Sequence, residues 1–169
     1  CRAEEIRAAA RGWLVVRQDG QTFGDRLVDG HRQAHRLAGG PVVQIGMDTP
    51  QVEPALLREV AEQANRRAGP VLGPARDGGW WVLVTTQAGQ ATVLAGVPMS
   101  RPDTFRLTAA ALAAEGHHAG GTVVLRDVDL PEDAEAVAVA APQTRFAATW
   151  RGSSPTWVAL APRLSGSAR

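Results

Sequence analysis

The sequence predicts an α/β fold in which a mostly parallel sheet is flanked by helices. Short apolar runs alternate with helical patterns along the whole chain. One run, at residues 42–46, is nearly all apolar, as is typical of parallel strands that are buried on both faces. With 169 residues, 44% of them hydrophobic, the chain is long enough to form one domain with a buried core.

The predicted helices follow from apolar spacing and from residues that begin or end a helix. Pro54 suits the first turn of a helix on which Leu56 and Val60 share one face. Ser100 is expected to cap a later helix, and Gly116 is expected to end it. In chain order, the helices are predicted at residues 3–10, 23–37, 54–67, 101–115 and 131–140.

The strands are predicted where short apolar runs lie between turn residues. These runs are at residues 13–16, 42–46, 71–72, 80–85, 91–94 and 122–125. Beyond Trp150 the chain is rich in Gly, Ser, Pro and Arg and contains one apolar island, at residues 157–160. We therefore predict a single domain at residues 1–150 and a tail at residues 151–169.

Charge and cysteine content exclude several classes of protein. The 18 basic and 17 acidic residues give a net charge of +1, so nucleic acid is not an expected partner. The single cysteine, Cys1, excludes an internal disulfide framework and a cysteine metal cluster. No apolar run is long enough to span a membrane and no secretory signal is visible, so a cytoplasmic location is expected. The first residue is not Met, so an upstream segment is expected to be missing.

Two aspartates are candidate metal ligands. Asp48 and Asp129 each follow a short apolar run and precede a turn that contains proline. In an open α/β sheet, such strand ends line the crevice where ligands bind. Carboxylate oxygens are suitable ligands for magnesium, so we expect both residues to share one cation. The structural alternatives are a turn residue before Pro50 and a helix cap at Asp129. Asp127 is expected to point away from Asp129 and to be the weaker candidate.

A glycine-rich loop between two predicted strands adds further candidates. Its carboxylate, Asp77, is a candidate base or sugar anchor. The backbone of Gly78 and Gly79 can approach a sugar or phosphate closely. Arg76 is a candidate partner for a diphosphate, and Trp80 for stacking on a sugar or base. The structural alternative is a tight turn, where Asp-Gly is common, with Trp80 in the core and Arg76 in solvent.

His31 and His35 lie four residues apart on a predicted helix. This spacing occurs in zinc proteases, but the residues between the two histidines include no glutamate that could act as the base. We therefore expect a surface or half-buried pair of histidines without a metal.

Four motifs, in this order, resemble the bacterial DUF2064 proteins, which are described as glycosyltransferase-A-like and related to nucleotide-diphospho-sugar transferases. The motifs are Ile-Gly-Met-Asp-Thr-Pro at 45–50, Leu-Gly-Pro-Ala-Arg-Asp-Gly-Gly-Trp-Trp at 72–81, Val-Pro-Met-Ser at 97–100 and Leu-Arg-Asp-Val-Asp-Leu-Pro-Glu-Asp at 125–133. The resemblance extends over residues 18–146. It implies a three-layer fold of the glycosyltransferase-A type, a nucleotide or nucleotide-sugar ligand, and Mg²⁺ or Mn²⁺.

The sequence departs from the family at two points. Family members begin with a strand and a loop resembling Ala-Lys-x-Pro-x-Pro-Gly-x-x-Lys-Thr-Arg, expected to hold the nucleotide, and nothing similar precedes Trp13. Loss of that strand would leave open edges, unless the island at residues 157–160 takes its place or pairs elsewhere on the sheet. Leu130 stands where the family usually has Thr, so Asp129 is expected to cap the next helix, with Glu132 completing a capping box.

The resemblance and the carboxylates together predict a metal-dependent transferase that acts on a nucleotide or nucleotide-sugar. A cation on Asp48 and Asp129 would neutralise a departing diphosphate or pyrophosphate, so glycosyl and nucleotidyl transfer both fit. The alternative is a non-catalytic nucleotide-binding or assembly module, in which open sheet edges pair in a homodimer. A third interpretation is that the chain is a fragment whose activity needs the absent N-terminal part.

Overall fold

The structure is a computed structural model, and it describes residues 2–153. The helices in this range are α1 (Arg2–Ala9), α2 (Phe23–Ala38), α3 (Pro54–Arg67), α4 (Thr104–Ala114), α5 (Pro131–Ala140) and α6 (Arg145–Gly152), with a 3₁₀ segment at Ala88–Gly96. The strands are β1 (Val42–Ile45), β2 (Val71–Pro74), β3 (Trp80–Thr85) and β4 (Gly120–Gly121). The helices predicted at residues 23–37, 54–67 and 131–140 are confirmed to within one residue.

The four strands form a mixed sheet in the order β1-β3-β2-β4. Strand β3 is antiparallel to both of its neighbours, whereas β2 and β4 are parallel. The prediction of a mostly parallel sheet is therefore not confirmed. The reason is the short connection at residues 75–79, because a tight turn joins antiparallel strands and a parallel pair needs a longer crossover.

Three of the predicted strands do not form as expected. Residues 13–16 pair with no other strand in the described part of the chain, and Trp13 is 78% exposed. Residues 91–94 lie inside the 3₁₀ segment, where the Gln90 side chain accepts the N–H of Thr86 at 2.8 Å. Residues 122–125 contribute only an isolated bridge between Leu125 and Ala75. A short apolar run does not by itself distinguish a strand from another buried segment.

Buried side chains form two clusters on opposite faces of the sheet. Leu72 and Leu83, which are opposite each other on β2 and β3, pack with residues of α2, α4 and the 3₁₀ segment. Val71 and Val84, the adjacent pair, pack with residues of α3. Successive residues of a strand point to opposite faces, so helices lie against both sides of this sheet. The three-layer description of the whole domain stays a prediction.

Helix α2 begins and ends at local signals. The hydroxyl of Thr22 accepts the N–H of Asp25 at 3.1 Å, and the carboxylate of Asp25 accepts the N–H of Thr22 at 2.9 Å. This reciprocal pair satisfies N–H groups that a helix N-terminus leaves unpaired. Gly39, at φ +66°, ends the helix in the left-handed conformation that glycine adopts readily.

Strand β1 is the edge strand next to β3, and its residues are half-buried or exposed. The prediction that it is buried on both faces is wrong, because no residue of β1 is fully buried. Within residues 2–153 the strand also has a strand neighbour on one side only. The apolar island at residues 157–160, expected to fill a place in the sheet, lies outside the described residues. Among the described helices, none is both long and apolar enough to cross a membrane.

Candidate metal and ligand site

Three carboxylates converge at one end of the sheet. One oxygen from each of Asp77, Asp127 and Asp129 lies within 4.8 Å of the other two. Asp77 comes from the turn between β2 and β3, and the other two come from the segment between β4 and α5. That segment is held beside the turn because the N–H of Arg76 donates to the carbonyl oxygen of Leu125 at 3.0 Å. Backbone pairing between distant segments thus assembles the cluster.

Asp48 lies beside the same segment. Its carbonyl oxygen accepts the N–H of Val128 at 2.8 Å, between the two aspartates of the cluster. Its carboxylate is not among the three that group within 4.8 Å, but Asp48 lines the same cleft as Asp77 and Asp127. The structure therefore brings the two predicted metal ligands, Asp48 and Asp129, to one side of the molecule. A cation shared by these two residues stays a prediction.

Asp127 was expected to point away from Asp129, and this expectation is wrong. It is 9% exposed, and its carboxylate belongs to the cluster. Residues two apart in an extended segment share a side, so the Asp-Val-Asp pattern itself indicated the pairing. Burial, followed by the negative charges of Asp77, Asp129 and Asp48, raises the pKa of Asp127, against a hydrogen bond from its own backbone. A nearby cation would favour the ionised form.

The predicted capping role of Asp129 is also wrong. The residue at the N-cap of α5 is Leu130, and its N–H donates to the carboxylate of Asp133 at 3.1 Å. Asp133 also accepts a hydrogen bond from Arg126 at 2.6 Å, and this contact is the main reason that the pKa of Asp133 is lowered. Asp133 therefore closes the helix terminus, and the carboxylate of Asp129 lies in the cluster instead.

The glycine turn has separate roles at its different positions. The N–H of Gly79 donates to the Oδ1 of Asp77 at 2.6 Å, which orients the carboxylate. Gly78 has φ +91°, and a Cβ there would clash with the carbonyl of Pro102. The turn therefore requires glycine at position 78, as the structural alternative, a tight turn, predicted. Gly79 lines the cleft, whereas Gly78 and the exposed Arg76 do not.

A cleft of about 350 Å³ opens next to the carboxylates. Thr49 and Trp80 line its wall, and each has a buried polar atom without a hydrogen-bond partner among the described residues, the Oγ1 of Thr49 and the Nε1 of Trp80. Buried polar atoms usually have such a partner, so a ligand that reaches these two atoms by a small movement of the wall would satisfy them. Trp81 differs, because its Nε1 donates to the carbonyl of Val123 at 2.9 Å. The sequence did not indicate Thr49 as a cleft residue, because its burial depends on long-range packing.

The loop before α4 forms another part of the cleft wall. The helix begins at Thr104 with Asp103 at the N-cap, so the prediction that Ser100 caps it is wrong. Ser100 instead has φ +57°, a left-handed conformation that is uncommon outside glycine and found at functional sites. Among the described residues that line the cleft, Arg101 is the only basic one. Its Nε lies 3.1 Å from the Oδ1 of Asp103. Sequence reasoning missed Arg101, since nothing local places it there.

His31 and His35 belong to a hydrogen-bonded network in which His35 is half-buried, as expected of the pair, and His31 is buried. His31 is 2% exposed, which the sequence did not predict. Its Nδ1 lies 2.9 Å from the Oγ1 of Thr85, and its Nε2 lies 2.6 Å from the Oε1 of Gln44. The Nε2 of His35 lies 2.8 Å from the same Thr85 oxygen. Gln44 also lines the cleft, which connects the network to the candidate site.

Comparison with known proteins assigns the chain to a family. The family model for uncharacterized proteins conserved in bacteria, DUF2064, matches residues 1–101, which is more than half of the chain. The chain belongs to the DUF2064 family. The family resemblance found in the four motifs is therefore confirmed, although the match ends before the segment that contributes Asp127 and Asp129. None of the curated proteins matches this DUF2064 chain.

The DUF2064 chain also resembles a solved structure. A crystal structure from Desulfovibrio desulfuricans G20, described as a "putative nucleotide-diphospho-sugar transferase", superposes with a TM-score of 0.73. The sequences are 18% identical, and the match covers 88% of this chain and 68% of that chain. At this identity the likeness shows the fold alone. The DUF2064 chain thus has an α/β fold similar to that of the Desulfovibrio protein.

The donor set of this DUF2064 protein fits a hard divalent cation. Its three clustered ligands are carboxylates, which suit Mg²⁺ or Mn²⁺, and the described residues near them add no thiol. Asp77 and Asp129 are exposed, so water or phosphate oxygens can complete the coordination. Thr49 and Trp80, whose unpartnered polar atoms are buried, line the adjoining cleft.

Proposed function

We propose that this DUF2064 protein is a metal-dependent transferase that acts on a nucleotide or nucleotide-sugar, by glycosyl or nucleotidyl transfer. The observation that carries the proposal is the convergence of Asp77, Asp127 and Asp129 at the edge of a cleft with unpartnered polar atoms. The fold likeness to the Desulfovibrio protein supports the same class of ligand. The implied three-layer glycosyltransferase-A architecture belongs to this proposal.

Asp77, Asp127 and Asp129 are the proposed ligands of Mg²⁺ or Mn²⁺, with Asp48 close to the ion. The bound cation would neutralise charge on a diphosphate or pyrophosphate leaving group. This assignment modifies the predicted role of Asp77, since a carboxylate that binds a cation is a poor general base. The hydrogen bond from Gly79 to Asp77 supports the ligand role, because it restrains a carboxylate that lies within 4.8 Å of its two neighbours.

The cleft provides groups for the remainder of the ligand. Its volume of about 350 Å³ lies within the range of small-molecule sites, roughly 300–1,000 Å³. The guanidinium of Arg101 is suited to phosphate oxygens, which it can bind in a fork. The Nε1 of Trp80 can donate to a ligand oxygen, and the hydroxyl of Thr49 can donate or accept. The earlier candidate Arg76 has weaker support, because its side chain does not line the cleft.

Metal binding and nucleotide binding are tested separately. Manganese titration followed by electron paramagnetic resonance is expected to show one site in the wild type. Asp77→Asn and Asp129→Asn should each lower the Mn²⁺ affinity by about tenfold or more, since loss of outer-sphere partners alone has effects of that size. Asp19→Asn is the matched control, because this exposed carboxylate lies next to Arg17 and outside the cluster.

Nucleotide binding is tested by thermal shift with nucleotides and nucleotide sugars, each with and without Mn²⁺. A ligand that binds only the folded state should stabilise it by about 2.7 kcal/mol at a hundredfold excess over its dissociation constant. A stabilisation that depends on Mn²⁺ and disappears in Asp129→Asn would support the proposal. A protein that binds Mn²⁺ but no nucleotide under any condition would contradict it.

The second candidate is a non-catalytic assembly module that forms a homodimer. It is favoured by the single-sided pairing of β1 within residues 2–153 and by the exposed apolar side chains of Trp13, Leu14 and Val15, which are 71–78% exposed. Exposed apolar surface and open strand edges promote association between chains. Sedimentation equilibrium separates the two candidates, since a monomer that binds nucleotide would favour the transferase.

A further inference from the structure

A chain of polar side chains, buried at its two central residues, connects helix α2 to the wall of the cleft. It consists of His35, Thr85, His31 and Gln44, joined by contacts of 2.8, 2.9 and 2.6 Å in that order. Thr85, at the end of β3, is fully buried, and His31 is nearly so. Gln44 lies on β1, two residues before the loop that leads to Asp48, and lines the cleft.

The orientation of the Gln44 amide, with its Oε1 facing His31, sets the direction of the hydrogen bonds. The Oε1 of Gln44 can only accept, so the Nε2 of His31 must carry the proton. In the neutral ring the Nδ1 then accepts, and the hydroxyl of Thr85 donates to it. The oxygen of Thr85 is then the acceptor for His35, which requires the proton of His35 to be on Nε2, the nitrogen that faces Thr85. Every donor in the chain therefore points from His35 towards Gln44.

The charge state of His31 agrees with this direction. Burial lowers the pKa of His31, against the hydrogen bond to Gln44, and the nearby His35 lowers it further. A neutral imidazole is thus favoured, and neutral histidine has one donor nitrogen and one acceptor nitrogen. A protonated ring would present a second donor to Thr85, and the hydroxyl proton of Thr85 would lose its acceptor.

We propose that this chain of polar side chains positions Gln44 so that its amide N–H donates to an oxygen of the ligand in the cleft. The inference rests on the proposed function, and it adds a residue that selects the ligand. The Oε1 of Gln44 is engaged by His31, and no other described side chain hydrogen-bonds to its Nε2. Because the amide can turn over only if His31 moves its proton to Nδ1, the cleft presents a donor here and selects an acceptor oxygen.

The direction of the hydrogen bonds along the chain of polar side chains is tested first, without any ligand. Long-range ¹H–¹⁵N spectra at neutral pH are expected to show His31 as the neutral Nε2–H tautomer. Gln44→Met, which removes the acceptor but keeps a side chain of similar length, should shift the His31 nitrogens and leave those of His117 unchanged. A wild-type His31 with its proton on Nδ1 would overturn the proposal, since Gln44 would then present its carbonyl to the cleft.

The ligand contact is tested by calorimetry with Mn²⁺ and two pairs of probes, UDP-glucose with UDP and GDP-mannose with GDP. Gln44→Met and Thr85→Val should each weaken binding by about 5- to 30-fold, the effect of losing one hydrogen bond to a buried group. Thr85→Ser, which keeps the hydroxyl, should stay within about twofold of the wild type. A loss seen with the sugar nucleotides alone places the acceptor on the sugar, and a loss with all probes places it on the nucleotide.

Two outcomes separate this proposal from the proposed function. If the wild type binds a probe and all the variants bind it equally well, the role of Gln44 is refuted while the transferase proposal stands. If the wild type binds Mn²⁺ but none of the probes, the nucleotide ligand is refuted and the role of Gln44 with it. Mn²⁺ affinity, measured for every variant, should stay unchanged, because neither Gln44 nor Thr85 belongs to the carboxylate cluster.

Discussion

Neutralising Asp127 is expected to stabilise the protein without metal and to weaken its metal binding. In the substitution Asp127→Asn the side chain keeps its shape and loses its charge. The buried carboxylate of Asp127 lies within 4.8 Å of those of Asp77 and Asp129, and their negative charges help to raise its pKa. Without a cation, these like charges oppose the folded state.

The size of the effect follows from the distances. Two unit charges 4.8 Å apart repel by about 0.9 kcal/mol in water and by about 3.5 kcal/mol at an effective dielectric constant near 20. Asp77 and Asp129 are exposed, so the lower value applies to each pair. Removing both repulsions should raise the free energy of unfolding by about 1–2 kcal/mol. For a chain of this size, that corresponds to a rise in Tm of about 2–8 °C.

The assay is thermal unfolding followed by circular dichroism, first with a chelator and then with Mn²⁺. Asp127→Asn should melt above the wild type in the chelator and should gain little from Mn²⁺, whereas the wild type should gain clearly. Asp19→Asn removes one exposed charge elsewhere, so its Tm should change little and its response to Mn²⁺ should persist. The reasoning would be refuted if Asp127→Asn melts below the wild type in the chelator, or if Mn²⁺ stabilises both proteins equally.

Three further substitutions test individual contacts. Gly78→Ala should lower the free energy of unfolding by about 2–4 kcal/mol in urea titrations, because a side chain at φ +91° would meet the Pro102 carbonyl. A smaller change than about 1 kcal/mol would argue against that clash. Thr49→Val should leave the stability of the ligand-free protein nearly unchanged, since its hydroxyl has no partner among the described residues, and should weaken nucleotide binding by about 5- to 30-fold. Unchanged nucleotide affinity would mean that Thr49 does not contact the ligand. Asp133→Asn should melt below the wild type, because Arg126 stabilises only the ionised form of Asp133. This difference in Tm should be largest above the ordinary Asp pKa of 3.8, and it should vanish as the pH falls through the lowered pKa of the folded state. A Tm difference that persists in strong acid would contradict this origin.

Elements specified by nearby residues were predicted well. Helix α3 begins at Pro54 as expected, and α2 has its own capping pair and a terminal glycine. Strands were predicted less well, since an apolar run does not reveal its partner. Residues 91–94 and 122–125 are as apolar as true strands, yet one run forms a 3₁₀ segment and the other makes a single bridge. Pairing depends on residues far away along the chain.

The candidate site was predicted in part. Asp48, Asp77 and Asp129 were chosen from their positions after apolar runs and in a glycine turn, and the structure brings all three close to Asp127. Asp127 was misjudged, although the spacing of the Asp-Val-Asp pattern was sufficient to place it correctly. Polar cleft residues on other elements, including Thr49 and Arg101, have no local pattern that marks them.

By itself, the sequence determined the family, the alternation of helices and strands, and which acidic residues are candidates for the proposed site. These depend on local spacing, on capping residues and on short motifs. Only the tertiary structure decided that β3 runs against its neighbours, that His31 is buried against Thr85, and that carboxylates about fifty residues apart meet at one cleft. The physical reason is that such encounters arise from long-range backbone pairing and burial, which no single segment of the chain specifies.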